Sequence, residues 1–167
     1  MSARQPFDEK FSQFLTALGV LNYTFSNTES LLIHLMAGLL GTPKESAMIV
    51  FLTLNTTRAR ADLVSRLAKQ PDVDPALRRE VLQITGELLR HAPLRNRLNH
   101  CIYAFDEKDG SASSILMRIA DRREELKIGE TMRIDDQSLE KVERTTAALH
   151  ALNLTIRQLI ADHGMPA

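Results

Sequence analysis

A single cysteine, Cys101, stands among the 167 residues. An intramolecular disulfide is therefore excluded, and a reducing, cytoplasmic setting is the expectation. No four-ligand zinc pattern is present, and neither a metal nor a cofactor is expected. Apolar runs are broken well short of a membrane span. The Met-Ser-Ala-Arg-Gln-Pro start lacks the apolar run of a signal peptide, so no membrane partner is expected either. Charge of one sign is missing too: 21 Lys and Arg balance 21 Asp and Glu. That balance removes any global electrostatic pull toward nucleic acid or anionic lipid, so an RNA contact has to come from a local patch. Internal repeats and low-complexity segments are absent.

What is present is a helix-coding chain. Its length suits one domain over residues 1–167 with a real core, and 44% apolar and 25% charged residues are ordinary for a globular protein. Phe7, Phe11, Phe14, Leu18, Leu21, Phe25, Thr28, Leu32, Leu35 and Leu39 recur at steps of four and three, an apolar helical stripe. The spacing predicts one long helix over 6–40, or two nearly collinear ones, opened by Pro6 and ended at Gly41. Gly19 and Ser26-Asn27 are the expected kinks, and Ser26 to Glu29 has capping-box spacing. Glu29 falls on the flank of the stripe with Leu15, Asn22 and Met36. It is either a half-buried carboxylate paired with an arginine or lysine, or a residue supporting an active site.

A second helical region covers about 43–69, with a bend expected at Asn55-Thr56-Thr57. Asp74 is placed to cap a third helix that Pro75 opens, with Leu77, Val81, Ile84 and Leu88 on one face. Pro93 punctuates the chain, and a fourth helix is expected over about 93–105. Helical periodicity is lost from Asp106 to Asp135. There Asp109-Gly110-Ser111 reads as a turn, and Ile115–Ile119 and Thr131–Ile134 as short strands or a β-hairpin. Arg118, Arg122 and Arg123 alternate with acids in the manner of surface pairing. The last helix, beginning near Asp135-Asp136 or Ser138, carries Leu139, Val142, Thr146, Leu149, Leu152, Ile156 and Leu159. The expected fold class is all-α, a bundle of four to five helices with a long N-terminal helix and one irregular excursion.

Chemistry concentrates in Arg95-Asn96-Arg97-Leu98-Asn99-His100. Histidine moves protons near neutral pH, and arginine holds a phosphate through a forked, permanently charged group. Asn96 and His100, four apart, share a helix face, and Arg95 and Asn99 share its neighbour. In an ideal helix Arg95 and His100 are about 140° apart, so their convergence requires an irregular first turn, a curled guanidinium or a second chain. The looser pattern of arginine and histidine recurs at Arg144–His150 and Arg157–His163, without the adjacent amide. Cys101 and His34 read as packed residues, His91 as a residue at a helix end, and Arg58, Arg60 and Arg66 as a solvated face.

Arg95-Asn96-x-x-x-His100, late in an all-helical chain of this size, resembles the motif of the HEPN superfamily. The resemblance implies a homodimer in which the motifs of two protomers face each other, and metal-independent endoribonuclease activity. Arg95 and His100 match the motif arginine and histidine, and Asn96 its polar position, with Arg97 and Asn99 as supporting or phosphate-binding residues. RNA would be cleaved by 2′-hydroxyl attack to leave a 2′,3′-cyclic phosphate. A regulatory or antitoxin protein is a further implied partner. The alternatives are a non-catalytic HEPN-like interaction or nucleotide-binding module, or a structural dimerisation bundle.

Overall fold

A computed structural model describes residues 6–106, 111–122 and 124–166. The Asp109-Gly110 pair of the expected turn, Arg123, and the side chains of Phe7 and Arg122 lie outside the described residues. The chain is predominantly helical, in the order α1 (Pro6–Ser30), α2 (Leu32–Leu40), α3 (Lys44–Thr53), α4 (Thr57–Leu67), α5 (Pro75–Asn99), β1 (Cys101–Phe105), β2 (Ala112–Leu116), β3 (Ile119–Arg122), β4 (Glu125–Ile128), β5 (Thr131–Arg133) and α6 (Asp136–Asp162). Among the described residues no helix is long and apolar enough to cross a membrane. The packing forms two compact units. One comprises the described residues up to Tyr23 with Pro93–Thr146, the other Thr24–Ala92 with the chain from Ala147 onward.

In the second of these units the amphipathic stripes meet as predicted. Phe25, Leu32, Leu35, Met36, Val64, Val81, Ile84, Leu88, Leu149 and Ile156 are all buried. Thr28, the polar member of the first stripe, is fully buried. Its hydroxyl donates to the carbonyls of Thr24 (2.8 Å) and Leu149 (3.3 Å), which removes the penalty of an unpaired hydroxyl.

The long N-terminal helix breaks at Leu31, not at Gly19 or Ser26-Asn27. Ser26 and Glu29 form no capping box, because Ser26 lies inside α1 and the Glu29 carboxylate accepts from Arg60 at 3.1 Å. Leu31 itself precedes α2 with no side-chain cap. Gly41, at φ 59°, ends α2, and its left-handed backbone suits a residue without Cβ. The bend at Asn55–Thr57 is a full break. Thr56 accepts from the Ala59 N–H and caps α4. Asp74 accepts from the N–H groups of Ala76 (2.8 Å) and Leu77 (3.0 Å), as its position before Pro75 predicts.

The expected fourth helix does not exist as a separate element. α5 runs through Pro93 to Asn99, so His91 sits inside a helix and not at its end. The imidazole pKa of His91 is lowered, first by burial and then by the neighbouring Arg90. Residues 101–105 form a strand. Cys-Ile-Tyr-Ala-Phe is β-branched and aromatic, and these propensities override a spacing that also fits a helix.

In the first unit β1, β2 and β5 make an antiparallel sheet in that order, and β3 pairs with β4 separately. The Ile115–Ile119 run is therefore two strands. Ile115 pairs with Thr131 across β2 and β5, while Ile119 belongs to β3. One sheet face meets α1 through rings: Phe14 lies 5.9 Å from Tyr103 and Phe11 6.1 Å from Phe105, centroid to centroid.

Candidate functional site

The end of α5 is closed by its own sequel. His100 N–H donates to the carbonyls of Asn96 (3.2 Å) and Arg97 (3.1 Å), and the Tyr103 hydroxyl donates to that of Leu98 at 2.8 Å. The Cys101 thiol also points at the Arg97 carbonyl, 3.2 Å away. The last-turn acceptors are thus satisfied without another helix. The His100 carbonyl in turn accepts from Met117 N–H at 2.8 Å, so the histidine starts the β1–β2 ladder. Its backbone is fixed on both sides while its side chain is exposed.

Pro93, Asn96, Arg97 and His100 fall at helical steps of three and four, and together they form one wall of a groove of about 790 Å³. The opposite wall comes from Leu116, Met117, Arg118 and Glu130. Register explains the meeting. Antiparallel pairing of Cys101 with Leu116 carries residues 117 and 118 alongside His100.

Two guanidiniums line this groove, those of Arg97 and Arg118. Arg97 is ion-paired with Glu130 at 3.1 Å and lies against the Met132 sulfur. Arg118 is exposed, and among the described residues nothing pairs with its side chain. His100 likewise makes no side-chain hydrogen bond to another described residue. An imidazole, an amide, two cations and one carboxylate thus share an open cleft. That set can hold a phosphodiester and move a proton beside it.

Of the residues singled out by sequence, the groove gathers Asn96, Arg97 and His100. It does not gather Arg95, which is half-buried and donates from Nη1 to the Asn96 side-chain oxygen at 3.1 Å. The offset follows from the regular helix, where one residue before Asn96 is a rotation of about 100°. Asn99 is exposed and outside the groove lining. Glu29 belongs to the other unit, where it is buried and paired with Arg60. Arg60 is accordingly no part of a solvated face.

Arg118 and Glu130 were not identified from sequence. Arg118 reads as one charge in an alternating surface run, and only the β1–β2 register shows that it faces His100. The usable signal is the strand-like Cys-Ile-Tyr-Ala-Phe run directly after the histidine. No family model, no curated protein and no solved structure matches the chain.

Proposed function

We propose that the groove at the end of α5 binds single-stranded RNA and that the protein is a metal-independent endoribonuclease. One observation carries this reading: the exposed His100 imidazole shares a cleft with Arg97 and Arg118. The guanidiniums hold phosphate oxygens and offset the charge that grows on them as the reaction proceeds. The 2′-hydroxyl oxygen attacks the adjacent phosphorus, and His100 takes the hydroxyl proton. The bond from phosphorus to the 5′-oxygen breaks, and that oxygen is protonated from solvent. The products are a 2′,3′-cyclic phosphate and a 5′-hydroxyl. Asn96 orients the substrate or the imidazole. In this assignment Arg97 and Arg118 take the phosphate-holding role that the motif gives to Arg95.

The test incubates the full chain with unstructured RNA in excess chelator. Cleavage is expected, and His100→Ala should reduce it by roughly 10²–10⁴-fold without weakening binding. Arg118→Ala should flatten the salt dependence of binding by about 0.7 in the log–log slope. An inactive wild type, or equal cleavage by His100→Ala, overturns the enzymatic reading. The position of Arg95 outside the groove favours a second reading, a non-catalytic RNA-binding module. Salt-dependent binding of RNA that stays intact is its signature.

A further inference from the structure

A carboxylate in a cleft for a polyanion works against it. Glu130 repels the phosphates that Arg97 and Arg118 attract, so its place in the groove calls for a use. Arg97 approaches it through one oxygen, Oε2, at 3.1 Å, and the Glu130 side chain remains 63% exposed. The carboxylate therefore still presents an accepting edge. Backbone bonds fix where that edge stands. Leu116 N–H donates to the Glu130 carbonyl at 3.0 Å, one step beyond the Ile115–Thr131 pair, so Leu116 and Glu130 are cross-strand neighbours. Gly129, at φ 71°, makes the turn into β5, and its N–H donates to the Arg118 carbonyl at 3.1 Å. Beside the carboxylate the groove is apolar, lined by Leu116 and by the exposed Met117. An apolar surface next to a hydrogen-bonding edge is what holds and reads an unstacked base.

We infer that Glu130 reads a guanine of single-stranded RNA, accepting from its N1–H and its N2 amine while Leu116 and Met117 cover the ring. This rests on the RNA reading of the same groove and adds the base that the groove selects. Donor count picks the base. The Watson–Crick edge of guanine offers two parallel N–H groups, which match the two oxygens of a carboxylate. Adenine and cytosine each offer one amino group beside a ring nitrogen whose lone pair repels a carboxylate. Uracil offers one N–H between two carbonyls. Oε2 can keep Arg97 and still accept from the amine, because each carboxylate oxygen has two lone pairs. The repulsion of phosphate then becomes part of the selection. RNA without guanine leaves the carboxylate unanswered in the cleft, and RNA with guanine pairs it.

Fluorescence anisotropy on the full chain tests it, with His100→Ala present so that the RNA stays intact. The probes are short labelled oligouridines whose central residue is guanosine, adenosine, cytidine, uridine or inosine. Guanosine is expected to bind about 10–100-fold tighter than the other three standard bases. Inosine, which lacks the N2 amine, should fall about tenfold below guanosine. Adding Glu130→Gln should bring all five probes together. It should also bind the guanine-free probes at least as tightly as before, since a negative charge has left the cleft. Equal affinity for all bases, or preference for another base, overturns the inference and leaves the RNA reading standing. So does a Glu130→Gln protein that keeps the guanosine preference or weakens on every probe alike, because Glu130 then serves only to hold Arg97. Failure to bind any probe removes the RNA reading and this inference with it.

Discussion

Replacing Arg60 with methionine isolates the contribution of one buried guanidinium. The side chains of Arg60 and Glu29 are 19% and 9% exposed, with Nη1 3.1 Å from the carboxylate. Nε donates to the carbonyls of Phe51 (3.1 Å) and Leu54 (3.0 Å), and the guanidinium lies 4.1 Å from the centre of the Phe51 ring. Arg60→Met keeps the aliphatic stem and strips every polar contact. Glu29 is then a buried carboxylate without its cation, a change that costs about 3–5 kcal/mol. The two carbonyls also lose a donor, at about 1 kcal/mol each if water does not reach them. Overlap between these losses leaves an expected cost of about 4 kcal/mol, a large share of the 5–15 kcal/mol that folds a typical domain. With a urea m-value of about 2 kcal/mol/M, the midpoint should fall by about 2 M. The double variant Glu29→Gln with Arg60→Met should lose less than the sum of the single changes, by about 1–3 kcal/mol. A cost below about 1 kcal/mol for Arg60→Met would refute the reasoning. It would show that Glu29 finds water or another cation.

Two further outcomes follow from local geometry. Gly38→Ala puts a Cβ 2.6 Å from Met165 Cγ and 3.1 Å from its Cβ. The usual helical gain of about 1 kcal/mol over glycine should therefore become a loss of about 1–3 kcal/mol in thermal unfolding, relieved by adding Met165→Ala. A raised melting temperature for Gly38→Ala alone would contradict this. For Tyr103, burial first and the nearby Cys101 second push the phenol up to about 12. A folded value above the unfolded one, near 10, gives stability that is fully present below pH ~10 and lost as pH rises toward 12. In a Tyr23→Phe background Tyr103 is the only phenol. Its absorbance titration should centre near 12 in the native protein and near 10 in urea, and coincident curves would count against it.

Much of this fold was legible because helical stripes report burial directly. Val142, Leu149, Leu152, Ile156 and Leu159 were read from period alone, and all are buried. Asp74 caps where its position before Pro75 put it, whereas at Asn55–Thr57 only a bend was read and the cap by Thr56 was not. The errors cluster where two periods agree. Leu94, Leu98, Cys101, Ile102 and Phe105 fit one helical face, yet the last three lie in a strand, and Ile102 ends half exposed. That misreading also hid part of the candidate site. A helix over 93–105 has no ladder to carry Arg118 to His100, so of the groove's polar residues only Asn96, Arg97 and His100 were found. Glu29 shows the opposite case: its flank position allowed a pair with an arginine or lysine or a role supporting the site, and the fold shows the first, with Arg60, away from the groove.

Pro93 has one more consequence. A proline inside α5 has no N–H for the Leu89 carbonyl, so the helix ladder has a missing rung just before Asn96, Arg97 and His100. The division between the two compact units falls at the same peptide. Amide protons upstream and downstream of it are therefore expected to exchange as separate cooperative groups. The groove wall can then loosen by releasing the His100–Met117 rung while the rest of α5 stays closed.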